Sequence, residues 1–236
     1  MTFYKRILCV AVLFAELFVH AESVLDPEYD KVGDPALPRV LIIGDSISMG
    51  YTPAVRAIFT DRINVHRPAV NCGASYIGRR DVEHWVAGGT WDVIHFNFGL
   101  HDLRYCFSGD RSKLFDEAGR YPDAQTGGSR TSLVEYEANL RGIIKVLRTT
   151  GARLIWANIT PVGEYYHGYD PVRVPQYNAV AERVMRENDI PVNDLNGSVA
   201  QDMAAFQGAD HIHCTVKGSQ MLAEQVAAAI EQQLGL

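Results

Sequence analysis

The sequence predicts an α/β protein: a central, mostly parallel five-stranded sheet between two helical layers, a three-layer flavodoxin-like sandwich. Three observations point there. Short, wholly apolar runs recur along the chain, as expected of strands buried on both faces. Segments with helical spacing separate them. Two of the apolar runs end in a glycine with polar residues within the next three positions, where open α/β sheets place their ligands. At 236 residues, 47% apolar and 21% charged, the chain is long enough for one domain with a substantial core. Its formal charge of −6 gives no basic footprint for nucleic acid.

The N-terminus carries a secretory pattern. Lys5 and Arg6 precede an apolar stretch from Ile7 to Val19, interrupted by Glu16, and Val19-His20-Ala21 fits a small-residue cleavage site. Residues 1–21 are read as a signal peptide, which implies a secreted or periplasmic protein with no stable membrane insertion after cleavage. Residues 22–38, with Pro27, Gly33, Pro35 and Pro38, form a surface leader, and 39–236 form the domain. Beyond the signal lie Cys72, Cys106 and Cys214, of which an oxidising compartment would allow one pair to bridge. Their spacing is not that of a zinc site, and neither a metal nor an organic cofactor is expected.

The first strand spans Arg39 to Ile43 and runs into Gly44-Asp45-Ser46, a turn in which Asp45 or Ser46 can also serve as a helix N-cap. A short helix is expected from Pro53 to Phe59, a second strand from Ile63 to His66, and then a small-residue loop, Asn71-Cys72-Gly73-Ala74-Ser75. After a helix over Val82 to Val86, the third strand runs from Trp91 to Gly99 and ends in Gly99-Leu100-His101-Asp102. Residues 104–130 form a long, Gly- and Pro-broken excursion expected to border the site.

Ser132 is a plausible cap for a helix continuing to Thr149, with Leu140, Ile143, Ile144 and Leu147 as its core stripe and Gly151 as its end. A fourth strand is expected over Ala152 to Ile159, a Tyr- and Gly-rich loop from Gly163 to Arg173 and a helix from Tyr177 to Glu187. A fifth strand follows from Pro191 to Leu195, a loop from Gly208 to His213, and a long helix from Val216 to Leu234.

Asp210 and His213 lie three residues apart, so a single turn lets the carboxylate accept one ring N–H and fix the tautomer. The other ring nitrogen can then act as the base that a serine hydroxyl needs to become a nucleophile. Ser46, Asp210 and His213 thus make a candidate triad by role. A second reading of the turn is metal binding by His211 and His213 on one face of an extended segment.

Taken together, Gly44-Asp45-Ser46, Asn71-Cys72-Gly73, Gly99-Leu100-His101-Asp102 and Asp210 to His213 resemble, in order, the four blocks of the SGNH (GDSL-type) hydrolase superfamily. The resemblance implies Ser46 as nucleophile, His213 as base and Asp210 as its partner. It also implies an oxyanion hole built from the N–H groups of Ser46 and Gly73. The third block departs from the family pattern by carrying His101 in place of Asn; His101 is the first candidate for the third donor and Asn97 the alternative.

What this implies is a serine ester hydrolase acting through an acyl-serine intermediate on a small-molecule or polysaccharide ester, with carbohydrate acetyl esters favoured. The competing readings are an O-acyltransferase on the same scaffold and a non-catalytic carbohydrate-binding protein. Tyr165, Tyr166, Tyr169 and Trp85 are candidates for sugar stacking, and Arg79, Arg80 and Arg104 for an acidic sugar.

Overall fold

The computed structural model describes residues 34–107 and 110–236. The expected signal peptide, and the expected leader up to residue 33, lie outside the described residues. Five parallel strands form the main sheet: β1 (Arg39–Ile43), β2 (Asn64–His66), β3 (Val93–Phe96), β6 (Arg153–Ala157) and β7 (Val192–Asn193). Their spatial order is β2-β1-β3-β6-β7, the flavodoxin-like order. Every pairing is parallel; Ile42 stands opposite His95, and His95 opposite Ile155.

Val40 to Ile43 are fully buried, as a strand covered on both faces requires. On one side α1 (Ser46–Ile58) packs against α8 (Val216–Leu234). On the other α2 (Ser75–Val86) packs on α4 (Leu133–Arg148), and α4 on α5 (Val174–Glu187). The expected three-layer sandwich is therefore present. Among the described residues, no helix is long and apolar enough to cross a membrane.

The differences from expectation lie at the strand ends. Helix α1 begins at Ser46, seven residues before the expected Pro53, which sits inside it. Local hydrogen bonds carry the early turns: Asp45 Oδ1 accepts the Ile47 N–H at 3.0 Å, and the Ser48 and Thr52 hydroxyls donate to carbonyls one turn back. Helix α2 likewise starts at Ser75, not Val82, because a distant residue caps it. Both carboxylate oxygens of Asp102 accept the Ser75 N–H, at 3.0 and 2.9 Å, and the Ser75 hydroxyl donates to Oδ1 at 2.5 Å. The third strand is shorter than expected, since Gly99 turns the chain with φ +133° into α3 (Leu100–Leu103).

Helix α8 spans the expected residues, with Thr215 as N-cap and left-handed Gly235 at its end. Two short helices, α6 (Leu195–Ala200) and α7 (Met203–Phe206), fill the stretch before the Asp210–His213 turn. The 104–130 excursion is anchored by a two-stranded antiparallel ribbon, β4 (Tyr105–Cys106) with β5 (Gly128–Ser129). Cys72, Cys106 and Cys214 are all free, so no pair is bridged.

Candidate active site

The chain ends of β1, β2 and β3 meet at one rim of the sheet, where the strand order reverses. Backbone bonds hold them together: Asn97 N–H donates to Ile43 O at 3.0 Å, and Cys72 N–H to Gly44 O at 3.2 Å. Ser46 opens α1, so its own N–H has no acceptor within the helix and points out of the helix start. Asp45 is the N-cap and Ser46 the first helical residue.

The Asp210–His213 turn comes from the opposite end of the chain to meet it. Asp210 Oδ1 accepts the backbone N–H groups of Ile212 (3.1 Å) and His213 (2.9 Å), which leaves Oδ2 for the ring. His213 Nδ1 lies 2.5 Å from that oxygen, and His213 Nε2 lies 2.8 Å from Ser46 Oγ. Burial works against the Asp210 carboxylate. The hydrogen bonds from the His213 ring and from the His213 and Ile212 N–H groups outweigh it and hold its pKa below the ordinary value. An Nδ1–H directed at this carboxylate leaves Nε2 with a lone pair facing the serine hydroxyl. The turn itself is held by Gly208 N–H to His213 O (2.7 Å) and Gly163 N–H to His211 O (2.9 Å).

The same turn separates His211 from His213. His211 adopts φ +58° and directs Nε2 toward Glu164, 4.0 Å away, while His213 is committed to Ser46 and Asp210. Among the described residues, no group of three or more His, Cys, Asp or Glu is arranged to hold a metal.

Of the three donors expected for an oxyanion, Ser46 N–H is open, whereas Gly73 N–H, on a backbone with φ +61°, donates to Asn71 Oδ1 at 3.0 Å. Asn97 commits an amide N–H to Ala157 O at 2.6 Å. The His101 ring makes no hydrogen bond with the described residues. Burial first, then the charges of Arg130, Arg104 and His213, push its pKa down to about 4. His101 is thus neutral at neutral pH and keeps one ring N–H to give.

Asp45 is the second perturbed group. It is 1% exposed; Oδ1 takes the Ile47 N–H, and Oδ2 has no partner among the described residues. Burial pushes its pKa up to about 6, against the opposing pull of the Ile47 N–H and His213. Sequence reading took this residue only as a cap. It also left Asp102 without a role, although that carboxylate ties the loop after β3 to the Gly73 loop. An acidic residue three places after a strand-end glycine is the only local hint, and its partner lies 27 residues away.

The 104–130 excursion starts and ends beside the His101 loop, where Arg130 N–H donates to Arg104 O at 2.9 Å and Thr131 N–H to Asp102 O at 3.1 Å. Trp85 is 3% exposed and belongs to the core, so it cannot stack on a sugar. Tyr169 is buried beneath Arg104, Tyr166 stacks on His167, and Tyr165 donates to Pro122 O at 2.6 Å. Arg80 pairs with Asp81, and Arg79 lies over Gly142 of α4, so neither reaches the site; Arg104 acts electrostatically on His101.

Comparison with known proteins gives the chain a family. The model of the GDSL-like Lipase/Acylhydrolase family matches residues 42–221, which include the first and last blocks. No curated protein matches the chain. Among solved structures, a lipase/acylhydrolase from Enterococcus faecalis superposes with a TM-score of 0.63 at 15% identity, covering 84% of this chain and 97% of that one. A catalytic mutant of an acetylxylan esterase from Geobacillus stearothermophilus gives 0.62 at 18%, covering 87% and 97%. Another acetyl xylan esterase gives 0.63 at 16%, covering 81% and 99%. At these identities the likeness is one of fold.

Proposed function

Because the chain belongs to the GDSL-like lipase/acylhydrolase family, we propose that it is a secreted or periplasmic serine esterase that removes acyl groups, acetyl above all, from carbohydrate. The observation that carries this reading is the unbroken relay from Ser46 Oγ through His213 to Asp210, at 2.8 and 2.5 Å. The N-terminal pattern of Lys5, Arg6, the apolar run and Ala21 supports export. The two xylan esterases among its structural neighbours support the substrate class.

In this reading His213 Nε2 takes the Ser46 proton as Oγ attacks the ester carbonyl, and Asp210 stabilises the imidazolium that forms. The oxyanion receives the open Ser46 N–H and the neutral His101 N–H. Gly73 adds a third donor when its N–H turns from Asn71 Oδ1. His213 then protonates the leaving sugar hydroxyl, and a water deprotonated by His213 releases the acid from the acyl-serine. A donor aimed at the oxyanion is worth about 3–4 kcal/mol in such a site.

The test is acetate release from an aryl acetate and from acetylated xylan by wild type and Ser46→Ala. The expected result is turnover on both and a loss of at least about a thousandfold in the variant. Unchanged turnover in Ser46→Ala would overturn the mechanism, and aryl acetate turnover without any acetate from glycan would overturn the substrate class.

A further inference from the structure

We propose that Arg104 and Arg130 form an anion subsite beside the scissile ester, so that the favoured substrate is an acylated sugar carrying an acidic group, a carboxylate or a sulfate. This rests on the hydrolase reading above and adds the charge of the substrate to it.

The two residues are brought together by the backbone. The ribbon pairs Tyr105 with Ser129 and Cys106 with Gly128, and the same register puts Arg104 opposite Arg130. Arg130 N–H donates to Arg104 O at 2.9 Å, and the next residue, Thr131, donates to Asp102 O at 3.1 Å. Opposite residues of an antiparallel pair share a face, and like charges placed there repel. Here two arginines stand opposite each other in the backbone register at the foot of the excursion, both within electrostatic reach of His101.

Among the described residues neither is paired with a carboxylate. A third arginine in the same cluster shows the contrast. Arg111 lies over the Tyr76 ring at 4.8 Å and is neutralised by both oxygens of Glu135, at 2.6 and 2.7 Å. Arg130 lies over that ring too, at 5.7 Å, with only the Arg111 carbonyl on its Nε. Arg104 is steadied by Tyr121 and Tyr169 and by the His167 carbonyl at 2.8 Å. Aromatic faces and carbonyls orient a guanidinium without cancelling its charge. Both cations are held in place and partly buried, with no ion-paired carboxylate on either among the described residues, and Arg104 lies three residues after His101, a candidate oxyanion donor. An anionic oxygen group between them would relieve the repulsion and accept charge-assisted hydrogen bonds.

The experiment compares acetate release from O-acetylated galacturonate oligomers with release from the same oligomers methyl-esterified at the carboxyl, and from O-acetylated sulfated galactan. Wild type, Arg104→Gln, Arg130→Gln and Arg130→Lys are assayed. Taking the ratio of kcat/KM for acidic over methylated oligomer within each variant cancels any loss of folded protein. In wild type the ratio is expected at about tenfold to a hundredfold, lying in KM and shrinking with added salt. Each Gln variant should bring it toward one, with Arg130→Lys between. A preference for the galacturonate alone assigns a carboxylate, and for the galactan alone a sulfate. A wild-type ratio near one on both, or a ratio unmoved in both Gln variants, overturns the subsite.

Binding separates this from the hydrolase reading. If Ser46→Ala left acetate release unchanged, the mechanism would fall. Salt-sensitive binding of unacetylated galacturonate or sulfated galactan oligomer, lost in the Gln variants, would still establish the subsite.

Discussion

The carboxylate of Asp45, whose Oδ2 has no partner among the described residues, makes a pH prediction that one amide substitution can read. Asp45→Asn keeps the side-chain shape, and Asn is an equally good N-cap, so the hydrogen bond to the Ile47 N–H survives. What changes is that position 45 no longer titrates. The wild-type pKa is raised from 3.8 to about 6, chiefly by burial. A carboxyl with a raised folded-state pKa binds its proton more tightly in the native state. Its stabilising contribution is therefore full below pH 3.8 and is lost as pH rises through 6. Two pKa units at about 1.4 kcal/mol each give close to 3 kcal/mol. The stability difference between wild type and Asp45→Asn should thus move by about 3 kcal/mol between pH 3.5 and pH 7, with the variant gaining on wild type as pH rises. Any pH-independent cost of the new amide cancels in this difference. Urea unfolding of both proteins at half-unit pH steps provides the measurement. Stability curves that run parallel across that window would refute the burial argument for Asp45.

Four further outcomes follow from the geometry. His101→Ala should lower kcat/KM by about 10²–10³, with substantial recovery in His101→Asn, as measured on an aryl acetate; no recovery would mean that His101 is not a donor. With its pKa pushed to about 4, His101 is neutral throughout pH 6–8, so His101→Asn should leave the shape of the pH–rate profile over that range unaltered. Asp102→Ala strips the buried Ser75 N–H and hydroxyl of their acceptor and should cost about 2–4 kcal/mol, seen as a lower urea midpoint, with kcat falling as the Gly73 loop loosens. Thr215→Ala removes the cap of α8 and should cost about 1 kcal/mol by the same unfolding assay.

How far the sequence could be read depended on whether the signal was local. The buried strand Val40 to Ile43 shows itself as an unbroken apolar run, and the Ser132 and Thr215 ends of α4 and α8 carry their own capping hydroxyls. The Asp210–His213 pair was legible because a three-residue spacing is itself the geometry of the turn. The start of α2 was not, because its cap is Asp102, 27 residues further on. The start of α1 was obscured by Gly50 and Pro53, both poor interior helix residues, while the Asp45, Ser48 and Thr52 side-chain bonds that sustain it act only once the turn exists. Trp85 looked available for a sugar because aromatic residues on an amphipathic helix do not announce which face is covered. Arg130 was invisible as a partner of Arg104, since only the ribbon register brings residues 104 and 130 opposite each other.

That register has one more consequence. The arm from Tyr105 to Ser129 departs and returns through adjacent, hydrogen-bonded residues, Arg104 with Arg130 and Asp102 with Thr131. Its two ends coincide, so its length can change without shifting β3, α4 or the rim where Ser46 and His213 meet. Closing a longer loop over fixed ends costs little, roughly 0.6 kcal/mol for each doubling. The arm is in effect an interchangeable head on a fixed handle: grafting a different hairpin between residues 104 and 130 should change the surface beside the rim while leaving the Ser46, His213 and Asp210 contacts intact.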